Sequence, residues 1–435
     1  MLDAIRGVAI CGILIMNIHF FGRSFWADDL RVDNELNQPA NVATWSLVNF
    51  MLEGSFRGLF SILFGAGSVL LISRLEKNNP GLKPADIYYR RLIWLLLFGL
   101  INGYVLNWPG DILYHYAIVG FFLFPFRKAS YRLLLGLVIF FVGLTMLASW
   151  VRVTGLKEMK AKGETAIALE KEKRPLNEQQ KGDLEKWKEY LDEQDPKTMR
   201  KKAQKDTKEI GGGGYVTVWK NVTPWTTKLE SSKFHGGFFY DVFIFFLLGI
   251  FLFRTGIISG EKPAMLYAIL LVVGYTFGFG SGILEKNAVL KANFDRFLYM
   301  QYSFFPINVY QIHRIATTLG HMSLLVLLWK SGRFQWLLRP FTRMGQMAFT
   351  NYLLQSVLCG FIFYGYGLGY FGKFQRYQLW YFVAGVCAFE MLLSIVWLRY
   401  FRFGPLEWCW RSLTYWKPQP IRKVVPQTAF APALS

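Results

Sequence analysis

The chain has 435 residues, 53% of them hydrophobic and 18% aromatic, and only 18% charged. Soluble domains average about 25% charged residues, so these proportions exclude a disordered chain and an ordinary soluble enzyme and point to a polytopic membrane domain. The net charge of +20 is then weighed first against the bilayer surface.

Taken in chain order, apolar runs predict ten membrane-spanning helices at about 4–22, 55–73, 91–107, 111–126, 131–152, 238–257, 264–283, 305–329, 345–367 and 378–400. The expected fold class is all-α, a polytopic helical bundle. It divides into an N-terminal five-helix half (1–152), a polar insertion (153–235) and a C-terminal five-helix half (236–435). The N-terminus lacks a basic region followed by a small-residue cleavage site, so the first apolar run reads as a retained span.

Lys and Arg in the short loops follow the even-numbered spans, as in Arg74, Lys77, Lys83, Arg90 and Arg91 after the second. The positive-inside rule therefore puts both termini in the cytoplasm and the insertion outside. From Lys157 to Glu209 the insertion has 15 Lys/Arg against 13 Asp/Glu, so the basic excess belongs to the membrane-embedded part. That favours a lipid bilayer as partner and argues against nucleic acid. Gly211 to Gly214 has no following Lys-Ser/Thr and reads as a hinge, not as a phosphate cradle.

Ionisable groups within spans cost at least about 2.5 kcal/mol each, so they normally mark partners, a wet cavity or function. They fall into two groups by depth. The outer one holds His19, Glu53, Arg57, Asp111, His115, His313 and Arg314, with Glu53/Arg57 and Asp111/His115 spaced i,i+4 on one helical face. An imidazole oriented by a carboxylate there could act as a general base, and an internally satisfied ion pair is the structural alternative for both pairs. The inner group holds Asp3, Arg6, Arg90, Arg91, Arg127, Arg343, Glu407 and Arg411, whose guanidinium forks suit phosphate, although many such residues only anchor helices at the interface. Asn17 lies eleven residues after Arg6, nearly on its face and about 16 Å along the axis. Asn351 and Gln355 form another i,i+4 pair, and interhelical hydrogen bonds are the alternative for them and for Asn17. His235 and His321 read as packed or hydrogen-bonded core histidines. Cys11, Cys359, Cys387 and Cys409 have no metal-ligand spacing, no set of His or carboxylates suggests a metal, and no G-x-S-x-G is present.

The opening Leu2 to Ile10 with Met16-Asn17-Ile18, then Phe56 to Gly67, Gly110-Asp111-Ile112-Leu113, Met347 to Ser356 and Phe403 to Tyr415 together resemble the YeiB-like membrane proteins that carry the DUF418 domain. That family is remotely similar to the transmembrane acyltransferases, including the acyltransferase-3 and heparan glucosaminide acetyltransferase groups, through the pattern Asp3-x-x-Arg6-Gly7. The resemblance implies transfer of an acyl group from cytosolic acyl-CoA, as donor substrate, to an extracytoplasmic glycan or lipid-linked acceptor. Combined with the split between inner cations and outer imidazoles, it puts Arg6, Asp3, Arg90, Arg91 and Arg411 at the donor. Glu53, Arg57, His313, Arg314, Asn351 and Gln355 would serve the acceptor.

In acyltransferase-3 proteins the residue eleven after the arginine is a histidine thought to be catalytic, and here it is Asn17. Asparagine cannot accept a proton, so that role passes to His19 or His115, with Asp111 orienting His115 and Asn17 donating to the oxyanion. A bacterial cytoplasmic (inner) membrane is the expected location, and a homodimer is compatible with the sequence. Two alternatives stay open: a transporter or flippase using the same charged path, and a scaffold whose insertion binds an envelope partner.

Overall fold

The computed structural model describes residues 1–78, 81–231 and 237–423; His235 lies outside them. Among the described residues the secondary structure is helical apart from one isolated bridge, Phe401 with Arg422.

Helix α1 (Leu2–Gly22) is an unbroken apolar helix of about 32 Å, ended by the extended Arg23. A short α2 (Pro39–Leu47) and a π-turn (Val48–Leu52) lead into α3 (Ser55–Asn78). Gly54 joins them with φ +69°, and a Cβ there would lie 1.9 Å from Arg314 Nε, so the turn needs glycine for both backbone and space. Helix α4 (Lys83–Leu100) ends in a second π-turn (Ile101–Val105), and α5 (Leu113–Phe121) follows the turn Asn107 to Asp111. At nine residues α5 is about 14 Å long, shorter than the bilayer core, so the expected fourth span contains only a short interior helix.

Helix α6 (Tyr131–Lys171) runs 41 residues, about 62 Å, without a break at residue 152, so the fifth span and the start of the insertion are one rod. The insertion continues as α7 (Glu178–Gln194), α8 (Pro196–Gly212) and α9 (Tyr215–Glu230). The C-terminal half comprises α10 (Phe239–Arg254), α11 (Ala264–Lys291), α12 (Arg296–Tyr302), α13 (Tyr310–Lys330), α14 (Gln335–Gln346), α15 (Ala348–Phe363), α16 (Leu379–Tyr400) and α17 (Pro405–Tyr415). Five stretches are individually long and apolar enough to cross a bilayer: Leu2–Gly22, Pro39–Asn78, Tyr131–Lys171, Ala264–Lys291 and Arg376–Tyr400. Most of α10 is buried, from Asp241 to Ile250, which explains its apolar character on every face: it is the centre of the bundle.

Two glycine contacts fix the geometry. A Cβ on Gly7 would sit 2.1 Å from Phe341 O, and one on Gly345 would sit 1.7 Å from Asp3 O, so α1 and α14 cross backbone to backbone. The glycine run expected to be a hinge is instead a packing site. Gly365 would clash with Gly213 O at 2.4 Å if it carried a Cβ, and Gly365 N donates to Ile210 O at 2.8 Å. The α8–α9 junction is thereby clamped onto the loop after α15.

Candidate functional site

Two cavities enter the bundle from opposite ends. The first, about 480 Å³, lies beside the N-terminus of α1 and is lined by Arg6, Arg74, Arg91 and Arg411, with Tyr116 and Tyr352 also in its wall. Among the described residues no carboxylate forms an ion pair with Arg74, Arg91 or Arg411; Arg6 holds Asp3 at 2.6 Å. Arg91 lies 3.6 Å above the Trp410 ring, and its carbonyl accepts from Trp410 Nε1 at 2.9 Å.

The acid in this cavity, Glu407, is committed elsewhere. It accepts from Phe349 N (2.7 Å), Thr350 N (3.1 Å) and Thr350 Oγ1 (2.5 Å) and so caps α15, whose first N–H groups have no helical partner. Burial pushes its carboxyl up, against the pull of those hydrogen bonds. One short helix, α17, thus supplies a cap (Glu407), a ring under Arg91 (Trp410) and a cavity cation (Arg411), which accounts for the length of the motif Phe403 to Tyr415.

The second cavity, about 300 Å³, lies at the insertion end. Asn17, Arg57, Asp111 and His115 line it together with Trp108 and Phe238, and the insertion roofs it through Asp206, Ile210, Val222, Trp225 and Leu229. Ser24 donates to Asp206 at 2.5 Å, Arg200 Nε donates to Val32 O at 2.5 Å, and Trp225 packs 5.2 Å from Phe25. Burial pushes the Asp206 carboxyl up, opposed by the Ser24 hydrogen bond.

His115 Nδ1 lies 2.8 Å from the backbone carbonyl of Asp111, and Nε2 lies 3.5 Å from Leu229 O. The carbonyl, not the carboxylate, therefore orients the ring, which corrects the expected pairing. A ring donating Nδ1–H presents Nε2 as its basic pole. The Asp111 carboxylate instead accepts from Asn102 Nδ2 (2.8 Å), Tyr114 N (2.7 Å) and Tyr352 OH (3.3 Å), and Tyr352 OH also accepts from Ile112 N (3.0 Å).

Several expected site residues lie outside both cavities. His19 is buried, with neither ring nitrogen hydrogen-bonded. Arg90 turns to Asp86 and to Thr414 O (3.2 Å). His313 Nδ1 is 2.9 Å from Ser281 Oγ, tying α13 to α11. Asn351 donates to Ser394 Oγ (3.0 Å) and Gln355 to Glu390 Oε2 (3.1 Å), so this pair joins α15 to α16. His321, read from the sequence as a core histidine, contacts Tyr275 OH at 2.8 Å.

The sequence reading missed Asp241 and Glu390, although an acid inside an apolar run was visible in each case. Asp241 is a buried hub that binds Arg314 directly, accepts from Gln311 Nε2 at 2.9 Å and faces Arg57 at 3.5 Å. Arg314 also donates to Gly54 O at 3.0 Å. It missed Asn102, Tyr116 and Tyr352 as site residues because only the fold brings them there. The described residues contain no group of three or more His, Cys, Asp or Glu that could hold a metal.

Residues 252–417 match the family described as a protein of unknown function (DUF418). The chain is 32% identical to the uncharacterised YxaH protein of Bacillus subtilis (strain 168), covering 97% of this chain and 95% of that one. The chain belongs to the YeiB-like DUF418 family. It is also 28% identical to YeiB of Escherichia coli (strain K12), over 95% of each chain. A third relative, an uncharacterised 39.9 kDa protein of Bacillus acidopullulyticus, is 24% identical over 97% of this chain and 94% of its own. No solved structure matches.

Proposed function

We propose that this DUF418 protein is a membrane acyltransferase that takes an acyl group from acyl-CoA and delivers it to a hydroxyl or amine of an extracytoplasmic or lipid-linked acceptor. The observation that supports this most is the pair of opposed cavities, cationic at one end and holding a histidine at the other. Arg6, Arg74, Arg91 and Arg411 would bind the donor's phosphates as planar forks. This end faces the cytosol on the positive-inside argument, in the cytoplasmic membrane of a bacterium, with both termini on that side.

In the other cavity, His115 Nε2 removes the acceptor's proton as its oxygen or nitrogen forms a bond to the thioester carbonyl carbon. Asn17 donates to the developing oxyanion. The carbon–sulfur bond breaks, and the CoA thiolate leaves through the first cavity and takes up a proton. Between the cavities lies the side-chain layer at the start of α5, where Ile112 lines one and Leu113 the other and Tyr352 OH accepts from Ile112 N; acyl transfer requires this layer to open.

The deciding experiment measures melting of the purified protein with acetyl-CoA, longer acyl-CoAs and free CoA, in wild type and Arg6→Ala. Ligand at about a hundred times its dissociation constant stabilises a fold by about 2.7 kcal/mol. A CoA-dependent shift that Arg6→Ala loses supports the reading. No shift in folded protein refutes it and favours a transporter, for which two opposed cavities would form the translocation path, testable by solute movement across proteoliposomes without CoA release.

A further inference from the structure

Arg57 is the cation of the outer cavity whose hydrogen-bonding capacity is least used. Its side chain is 19% exposed, and its two carboxylate neighbours, Glu53 at 3.7 Å and Asp241 at 3.5 Å, are both beyond hydrogen-bond length. Each carboxylate is shared, with one oxygen (Glu53 Oε1, Asp241 Oδ2) facing Arg57 at these long distances and the other taken by a closer donor. Tyr310 OH donates to Glu53 Oε2 at 2.5 Å, while Arg314 and Gln311 take Asp241 Oδ1. Arg57 Nε is buried without a hydrogen-bond partner, and the guanidinium rests 4.7 Å from the Phe238 ring centroid.

Arg23, the other arginine lining this cavity, is the opposite case: it holds Glu35 at 2.6 Å and Asp33 at 2.5 Å. A partly buried guanidinium with unmade hydrogen bonds is costly unless a ligand completes them. Its cavity neighbours Asp111 and Asp206 have their own donors in Asn102, Tyr114 and Ser24.

From this unused hydrogen-bonding capacity we infer that Arg57 binds an oxyanion, a phosphate or carboxylate, carried by the molecule that occupies the outer cavity. The acceptor is then an anionic hydroxyl or amine compound, its charge held by Arg57 and its reacting group presented to His115. The identification of that molecule as an acyl acceptor rests on the proposed acyl transfer; the oxyanion site itself does not.

The test is binding to the purified full-length protein, read by thermal shift and calorimetry, with three probes: glycerol 3-phosphate, a short-chain phosphatidic acid and glucuronate. Each is titrated into wild type, Arg57→Gln, Arg57→Lys and Arg411→Gln. The expected result is binding of at least one probe that Arg57→Gln weakens at least tenfold, that Arg57→Lys partly retains, and that Arg411→Gln leaves in place. Binding of the phosphatidic acid alone assigns the oxyanion to a lipid headgroup, and binding of glycerol 3-phosphate assigns it to phosphate without a lipid tail. If no probe binds, or binding survives Arg57→Gln, the oxyanion site is refuted. Should Arg57→Gln not fold, Arg57→Lys decides: unchanged affinities for every probe, or none, refute the proposal. CoA titrations in parallel separate the two readings, since a CoA shift lost in Arg411→Gln belongs to acyl transfer and stands or falls independently of Arg57.

Discussion

Ile112 and Leu113 are neighbours in the chain and face opposite cavities, Ile112 the one with His115 and Leu113 the one with the arginines. Arg57 and Phe60 divide in the same way on α3. The barrier is therefore a side-chain layer at the start of α5, and Tyr352 holds it by accepting from Ile112 N at 3.0 Å. Tyr352→Phe removes that acceptor and the hydroxyl near Asp111. CoA binding is expected to persist while acyl transfer rises at least tenfold, seen by comparing calorimetry with release of free CoA.

His115→Ala should reduce transfer by about 10²–10⁴-fold, the usual contribution of a general base. His19→Ala should leave it within about threefold, because His19 lines neither cavity. Equal losses in both variants, measured on folded protein, would remove His115 from the mechanism.

Asp241→Asn takes the carboxylate from buried Arg314, leaving a charge without its counter-ion. Breaking a buried pair in this way costs about 3–5 kcal/mol. The melting temperature of Asp241→Asn should fall well below that of Lys188→Ala, whose partner Glu170 is an exposed surface acid at 3.1 Å.

Gly345→Ala should fail to assemble or melt much lower, since its Cβ would meet Asp3 O at 1.7 Å. Gly136→Ala on α6, where a Cβ meets nothing within 4 Å, should melt at or slightly above wild type by helix propensity. Similar melting temperatures for the two would count against the close crossing of α1 and α14.

Glu230, at the end of α9, is pushed up to about 7 by burial, with a hydrogen bond from Tyr104 pulling the other way. The unfolded carboxyl releases its proton near its ordinary value, while the folded one keeps it to about pH 7. Between these values the unfolded state binds fewer protons, so stability falls as pH rises. Glu230→Gln should flatten melting temperature against pH between about 5 and 7.5, and an unchanged profile would show that Glu230 is not the group responsible.

Much of this protein is decided by local sequence. The apolar run Leu2 to Gly22 must bury or enter lipid, and the arginines near its start and after α3 mark one end of the bundle, because charge placement and helix period are properties of the chain itself. The spacing of Asp111 and His115 suggests one helical face, whereas in the fold Asp111 lies in the turn before α5 and orients the ring through its backbone carbonyl. Other features needed the fold. Nothing in the sequence around residue 152 separates a span that stops from one rod of 41 residues. The glycines 211–214 look like a hinge until the loop after α15 is packed against them. Asp241, Arg57 and Arg314 come from three separate helices, so which of two arginines satisfies the acid is settled only by their distances in the assembled bundle. The same holds for the four arginines of the inner cavity, drawn from α1, α3, α4 and α17: sequence gives each its charge, and tertiary packing alone brings those charges round one space while leaving Arg90, next to Arg91, outside it.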